Sequence, residues 1–333
     1  MRKKIAVIGS GSWGTAVANV FADAGSQVTI WGRDPKVVEG INASHHNPRY
    51  LSAFELSSQL EASADLAKTL AWADVVVCAI PTQKIRSVFG PHRAILSGKW
   101  IVNTSKGIEE STYKRISEIF SELAPDSPFA VLSGPTFAEE VVKRLPSAIT
   151  VACEDLAVAT EVQRLFSTPY MRGYASDDVC GVEWGGALKN VVAVATGIAS
   201  GVGLGLNTQA ALINRGIAEI VRMATFKGAR PITFLGLSGM GDLVLTCTGD
   251  LSRNRRLGIA MGQGKSLEEA FAHLGGVAEG AFTARAAYEM AMKDKIEMPL
   301  TEQVYKILYA EQTPKQALTE LMGRNLKVEW DFV

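Results

Sequence analysis

Two lysines, an aspartate and a cluster of arginines stand where their surroundings could make them do chemistry. Lys189 lies in residues 180–203, where apolar and small side chains fill almost every position. A helix of that composition has no broad polar face and belongs in a core. An unpaired ammonium is costly to bury, and the usual responses are a lowered pKa, a partner or a wet cavity. Lys189, with Asn190 beside it, is therefore a candidate general acid and base. The competing reading is a lysine that snorkels to solvent from the helix edge. Lys106 follows a short apolar run in Ser105-Lys106-Gly107, and reads either as a functional group at a strand end or as a solvated loop lysine. Asp242, in the glycine-dense turn that starts at Gly236, reads as a helix cap or a functional acid. Ser252-Arg253-Asn254-Arg255-Arg256 sets arginines beside an expected helix start. That pattern suits a phosphate pocket, or a solvated basic face at Arg255 and Arg256.

These groups need a scaffold, and the first half of the chain supplies a periodic one. Residues 4–8 form an apolar run ending in Gly9-Ser10-Gly11-Ser12-Trp13-Gly14, and residues 15–24 read as a helix. This is the GxGxxG pattern in its required strand–turn–helix setting. Gly9 permits the tight turn, Gly11 lets a pyrophosphate reach the backbone, and Gly14 allows the helix to pack close. Free N–H groups at the helix start then face the phosphates. The second strand, residues 27–31, ends in Gly32-Arg33-Asp34-Pro35, near the usual ribose-reading position. Arg33 suits a ribose 2′-phosphate, and Asp34 could read a ribose or cap the following helix, so NAD and NADP both stay open. Further strands are expected at residues 74–80, 100–104, 129–132, 148–153 and 170–174. Ligands in such sheets lie at the carboxyl ends of strands, which points to Lys106 and to the turn from Gly134 to Thr136.

Beyond residue 177 the strand signals fade and helices follow, including residues 207–226 with Asn207-Thr208 as the expected cap. A domain of residues 1–178 followed by a helical one of 179–333 is the expected organisation. The segment Gly262-Gln263-Gly264-Lys265-Ser266 resembles part of a P-loop, but position 259 is Ile and no strand precedes it, so nucleoside triphosphate binding is rejected.

Composition narrows the classes. The 333 residues carry 34 Lys plus Arg and 34 Asp plus Glu, a balance that argues against a general nucleic-acid binder. The cysteines Cys78, Cys153, Cys180 and Cys247 are far apart and read as buried free thiols in a reducing compartment. His45, His46, His92 and His273 have no metal-ligand spacing, so no metal is expected. The apolar run at the start is too short for a signal peptide, and Lys189 with its neighbouring glycines disfavours a membrane span. A soluble, cytoplasmic protein without membrane insertion is expected.

In this order, the motifs resemble those of the bacterial glycerol-3-phosphate dehydrogenase [NAD(P)+] family, from Lys4 to about Gly323. To those above they add Ser133-Gly134-Pro135-Thr136-Phe137-Ala138, Gly186-Ala187-Leu188-Lys189-Asn190 and Val277-Ala278-Glu279-Gly280. The resemblance implies an α/β Rossmann-type doubly wound sheet plus an all-α domain, as in 6-phosphogluconate dehydrogenase. It implies reduction of dihydroxyacetone phosphate to sn-glycerol 3-phosphate with NADH or NADPH, for glycerophospholipid synthesis, by a homodimer. It assigns Ser12, Trp13, Arg33, Ala138, Val277 and Glu279 to the cofactor, and Lys106 to both cofactor and substrate. Gly134 and Thr136 line the substrate site, Lys189 transfers the proton, and Asp242, Ser252, Arg253 and Asn254 hold the substrate, with Arg253 also near the cofactor. The alternatives are a sister two-domain dehydrogenase for another hydroxy substrate, and a non-catalytic nicotinamide-binding sensor.

Overall fold

A computed structural model of the chain describes residues 3–272, 274, 276–326 and 328–329. His273 lies outside the described residues. The chain divides into two compact units. One, the sheet unit, runs to Ser105 and resumes over Ile116–Val179. The other, the helical unit, takes Lys106–Arg115 and the chain from Cys180 onward.

The sheet unit is built on eight strands: β1 (Lys4–Ile8), β2 (Gln27–Trp31), β3 (Leu60–Ser63), β4 (Val75–Cys78), β5 (Trp100–Asn103), β6 (Phe129–Ser133), β7 (Ser147–Ala152) and β8 (Met171–Ser176). Their order is β3-β2-β1-β4-β5-β6-β7-β8. All neighbours pair parallel except β6 and β7, which are antiparallel. Alternation along the central strands explains why both faces are covered. Ile5, Val7, Val75 and Val77 join one apolar cluster, while Ala6, Ile8, Val76 and Cys78 join another. Strands buried on both faces read as continuous apolar runs, which is how β1 and β4 appear in the sequence. The short strand β3 has no such run and escapes sequence reading.

The helical unit is organised around the helix Val179–Val202, in which all side chains from Gly181 to Ala199 are buried. It is long and apolar enough to cross a membrane by composition, yet 83% of its most apolar window is buried inside the protein, as in a core helix. Its glycines have a specific use. A Cβ on Gly197 would lie 2.1 Å from the Arg255 carbonyl oxygen, and one on Gly201 would lie 2.3 Å from that of Ile259. On the facing helix Arg253–Gly262, a Cβ on Gly258 would lie 2.1 Å from the Val194 carbonyl oxygen. The two helices thus touch backbone to backbone, which any side chain at these positions would prevent. The expected helix at residue 207 begins instead at Leu206, behind Gly205, and has no side-chain cap.

Candidate active site

In the sheet unit, the glycine turn between β1 and the helix Ser12–Asp23 fits a dinucleotide. Gly9 has φ +121°, and a Cβ there would lie 2.5 Å from the Ala79 carbonyl oxygen. A Cβ on Gly14 would lie 1.8 Å from the Gly9 carbonyl oxygen, so the helix sits as close to the strand as glycine allows. Gly11 differs: a Cβ there would meet nothing within 4 Å. Close packing beneath and open space above is what a pyrophosphate against the backbone requires. Gly11 is the N-cap and has no side chain with which to cap the helix start. The turn is held by a residue that the sequence reading missed. Buried Asn47 donates to the Ser10 carbonyl (3.0 Å) and to Thr15 Oγ1 (2.8 Å). Its own Oδ1 accepts from Arg49 and Tyr50 N–H. The local pattern around Asn47 marks only a turn through Arg49 and Tyr50, because the acceptors that its amide reaches lie 32 to 37 residues away.

At the end of β2, Asp34 caps the helix Pro35–Ser44, accepting from Lys36 N–H at 3.0 Å. Arg33 stays exposed. The capping alternative raised by the sequence therefore holds for Asp34. Elsewhere in this unit Thr136 Oγ1 donates to the Gly134 carbonyl (3.2 Å), and Ala138 opens the helix Ala138–Val142.

In the helical unit, Lys189, Asp242 and Lys106 form one charge array. Lys189 Nζ donates to Asp242 Oδ1 at 2.5 Å and to Thr246 Oγ1 at 2.6 Å. Lys106 Nζ donates to the other carboxylate oxygen, Oδ2, at 2.5 Å. Lys189 does not snorkel: its residue is 5% exposed, and Asp242 is 2% exposed. Asp242 is the first residue of the helix Asp242–Thr248, behind Gly241, so its carboxylate is spent on the lysines and not on a cap. Thr246, one turn on, donates its hydroxyl proton to the Asp242 carbonyl (2.6 Å) and so presents an acceptor to Lys189. The sequence reading gave Thr246 no role. Its spacing of four from Asp242, which sets both on one helix face, is the signal that could have found it.

The electrostatics follow from that packing. Burial lowers the Lys189 pKa, the Asp242 carboxylate raises it and the Lys106 cation lowers it again, leaving it at about 8. Burial alone would raise Asp242; the ammoniums of Lys106 and Lys189 overcome this and hold it below the ordinary carboxylate range. Cys247 beside them is pushed up to about 12 by burial and stays a thiol.

A second group lies where the helix Arg253–Gly262 starts. Ser252 caps this helix through Arg255 N–H (3.2 Å). Asn254 donates to Asn190 Oδ1 (2.8 Å) and accepts from Gly280 N–H (2.9 Å), which ties the neighbour of Lys189 to the start of the helix Glu279–Asp294. A Cβ on Gly276 would lie 2.3 Å from Arg253 Nη1, so the guanidinium runs along the segment that leads to Val277 and Glu279. Arg253 and Val277 are exposed and Glu279 is partly buried. Arg255 pairs with Asp250 (2.8 Å).

The chain is similar to known proteins along nearly its whole length. Residues 4–159 match the family model for the NAD-dependent glycerol-3-phosphate dehydrogenase N-terminus, and residues 178–319 match that for its C-terminus. The glycerol-3-phosphate dehydrogenase [NAD(P)+] of Citrifermentans bemidjiense is 47% identical, over 99% of both chains. That of Limosilactobacillus reuteri is 45% identical over the same shares. The crystal structure of glycerol-3-phosphate dehydrogenase from Coxiella burnetii superposes with a TM-score of 0.92 at 36% identity, covering 97% of this chain and 99% of that one. The chain belongs to the NAD-dependent glycerol-3-phosphate dehydrogenase family.

Proposed function

We propose that this chain catalyses the reversible, NAD(P)H-linked reduction of dihydroxyacetone phosphate to sn-glycerol 3-phosphate. The observation that carries the mechanism is a buried lysine, Lys189, that shares one carboxylate with a second lysine, Lys106. A bound nicotinamide supplies the hydride in reduction and accepts it in oxidation. The protein supplies the proton. As the ketone oxygen gains negative charge, the Lys189 ammonium stabilises it and delivers a proton; in oxidation the neutral amine takes the proton back. A pKa of about 8 lets both forms exist near neutral pH. Asp242 aims both lysines at one place and keeps Lys189 from losing its proton too readily.

In this reading the sheet unit binds the cofactor through Gly9, Gly11, Ser12, Trp13, Gly14, Arg33 and Ala138. The helical unit adds Val277, Glu279 and Arg253. Gly134, Thr136, Lys106, Ser252, Arg253 and Asn254 receive the substrate, with the arginine on its phosphate. A homodimer in the cytoplasm, feeding glycerophospholipid synthesis, completes the assignment.

The test is absorbance loss of NADPH and of NADH, separately, with dihydroxyacetone phosphate and purified protein. Rapid oxidation is expected, with the ratio of the two rates reporting what Arg33 selects. Intact cofactor binding with no oxidation of either would overturn the assignment.

A further inference from the structure

Lys106 sits on a segment whose anchoring is unusual. Residues Lys106–Arg115 pack with the helical unit although their sequence neighbours on both sides belong to the sheet unit. They fold as a hairpin: Glu109 N–H donates to the Lys114 carbonyl (3.0 Å), and Tyr113 N–H to the Glu109 carbonyl (2.8 Å). That pairing brings Lys114, the neighbour of Arg115, back to Glu109, three residues from Lys106. Tyr113 closes the turn at φ +59°, a region that bulky L residues rarely adopt and that persists only where surrounding contacts enforce it. Its hydroxyl donates to Glu289 Oε2 at 2.9 Å. Ile108 is fully buried in the helical core. At the stem, Arg115 Nη1 lies 3.1 Å from Glu183 Oε2, with side chains 18% and 5% exposed. Glu183 belongs to the helix Val179–Val202, which also carries Lys189.

We propose that Arg115 and Glu183 are positioning residues for Lys106: their ion pair fastens the hairpin stem to the Lys189 helix, so that the Lys106 ammonium stays on Asp242. The inference rests on the assignment of the Lys189 cluster to proton transfer. A lysine is a point charge on a flexible four-carbon stem, and the Lys106 side chain is still 20% exposed. With the stem released, its ammonium exchanges Asp242 for water. Lys189 then keeps Asp242, which raises its pKa, and loses the nearby cation that lowers it. Cys247, the other titratable group facing it, is a neutral thiol.

The experiment compares Arg115→Met/Glu183→Gln, Arg115→Lys and Lys189→Met with the unaltered enzyme. The double variant removes both charges of the pair together. The readings are kcat, KM for dihydroxyacetone phosphate, the pH midpoint of kcat and thermal melting. The double variant should lose roughly ten- to a hundredfold in kcat/KM, because small misplacements at a reacting centre cost that much. Its pH midpoint should move upward, and Arg115→Lys should restore most of both. A lower melting temperature with unchanged kcat/KM and pH midpoint would overturn the proposal and leave the pair a merely structural role. Near-normal turnover in Lys189→Met would instead overturn the assignment of the cluster, and the positioning role with it.

Discussion

Asp242 and Glu219 are carboxylates of the helical unit, 2% and 4% exposed, and their neighbours treat them differently. Asp242 faces two ammoniums and is held ionised against the cost of burial. Glu219, on the helix Leu206–Phe226, faces the start of the helix Pro299–Tyr309. It accepts from Leu300 N–H (2.5 Å), Thr301 N–H (3.0 Å) and the Thr301 hydroxyl (2.9 Å). Those donors, with Arg222, only partly offset burial, and the Glu219 pKa is pushed up to about 7. One carboxylate accepts from two lysine ammoniums. The other satisfies the free backbone donors of a helix end, a structural task that needs no full charge. Burial alone does not decide whether a carboxylate stays ionised; the partners do.

The strongest test of this contrast is Lys189→Met, which should lower turnover on the order of 10²-fold or more while cofactor binding persists. Cofactor titration beside steady-state rates will show it, and near-normal turnover would remove Lys189 from proton transfer. Asp242→Asn comes next, with a loss of about 10²-fold in kcat/KM. Its pH profile is more informative. In the unaltered enzyme reduction requires the ammonium, so its rate should fall as pH rises through about 8, and oxidation should fall as pH drops through the same value. Asp242 raises the Lys189 pKa, so its loss should move both limbs to lower pH; unmoved limbs would break the link between the two residues. Arg253→Ala should raise KM for dihydroxyacetone phosphate by about tenfold or more and weaken discrimination against unphosphorylated dihydroxyacetone. Unchanged discrimination would place the phosphate elsewhere.

Glu219→Gln should have the smallest effect, and none on kcat. The folded pKa of Glu219 is raised from 4.5 to about 7, so the folded chain holds a proton that the unfolded chain has released. That contribution to stability is complete below pH 4.5 and is lost as pH rises through about 7. The glutamine variant should lack this dependence and melt lower by about 1–3 kcal/mol of stability where Glu219 is protonated, because one acceptor is gone. Denaturant melts at several pH values will resolve it. An unaltered pH slope would remove Glu219 as its source.

The glycine pattern carried much of the fold into view. The spacing of Gly9, Gly11 and Gly14 announces a strand, a turn and a helix, because Gly14 packs on Gly9 only five residues away, although the Ala79 wall that Gly9 meets is distant in the chain. The continuous apolar runs at β1 and β4 did the same for a sheet covered on both faces. The antiparallel turn from β6 to β7 escaped, because strand direction depends on how the chain returns and not on the residues within the strand. What the glycines Gly197 and Gly201 pack against was not legible either; their partner is the helix Arg253–Gly262 of the same chain.

The sequence by itself determined the element types, the dinucleotide turn and the presence of a costly lysine in an apolar helix, since each is set by side-chain type and short-range period. Tertiary structure alone decided what that lysine meets. Lys106 and Asp242 are 136 residues apart, and Lys189 and Asp242 are 53 apart. No local rule spans such distances. Whether Asp242 capped a helix or bridged two lysines, whether Asp34 capped a helix, and that residues Lys106–Arg115 pack with the helical unit were all settled by packing. Burial raises the cost of an unpaired charge until only one arrangement of partners remains.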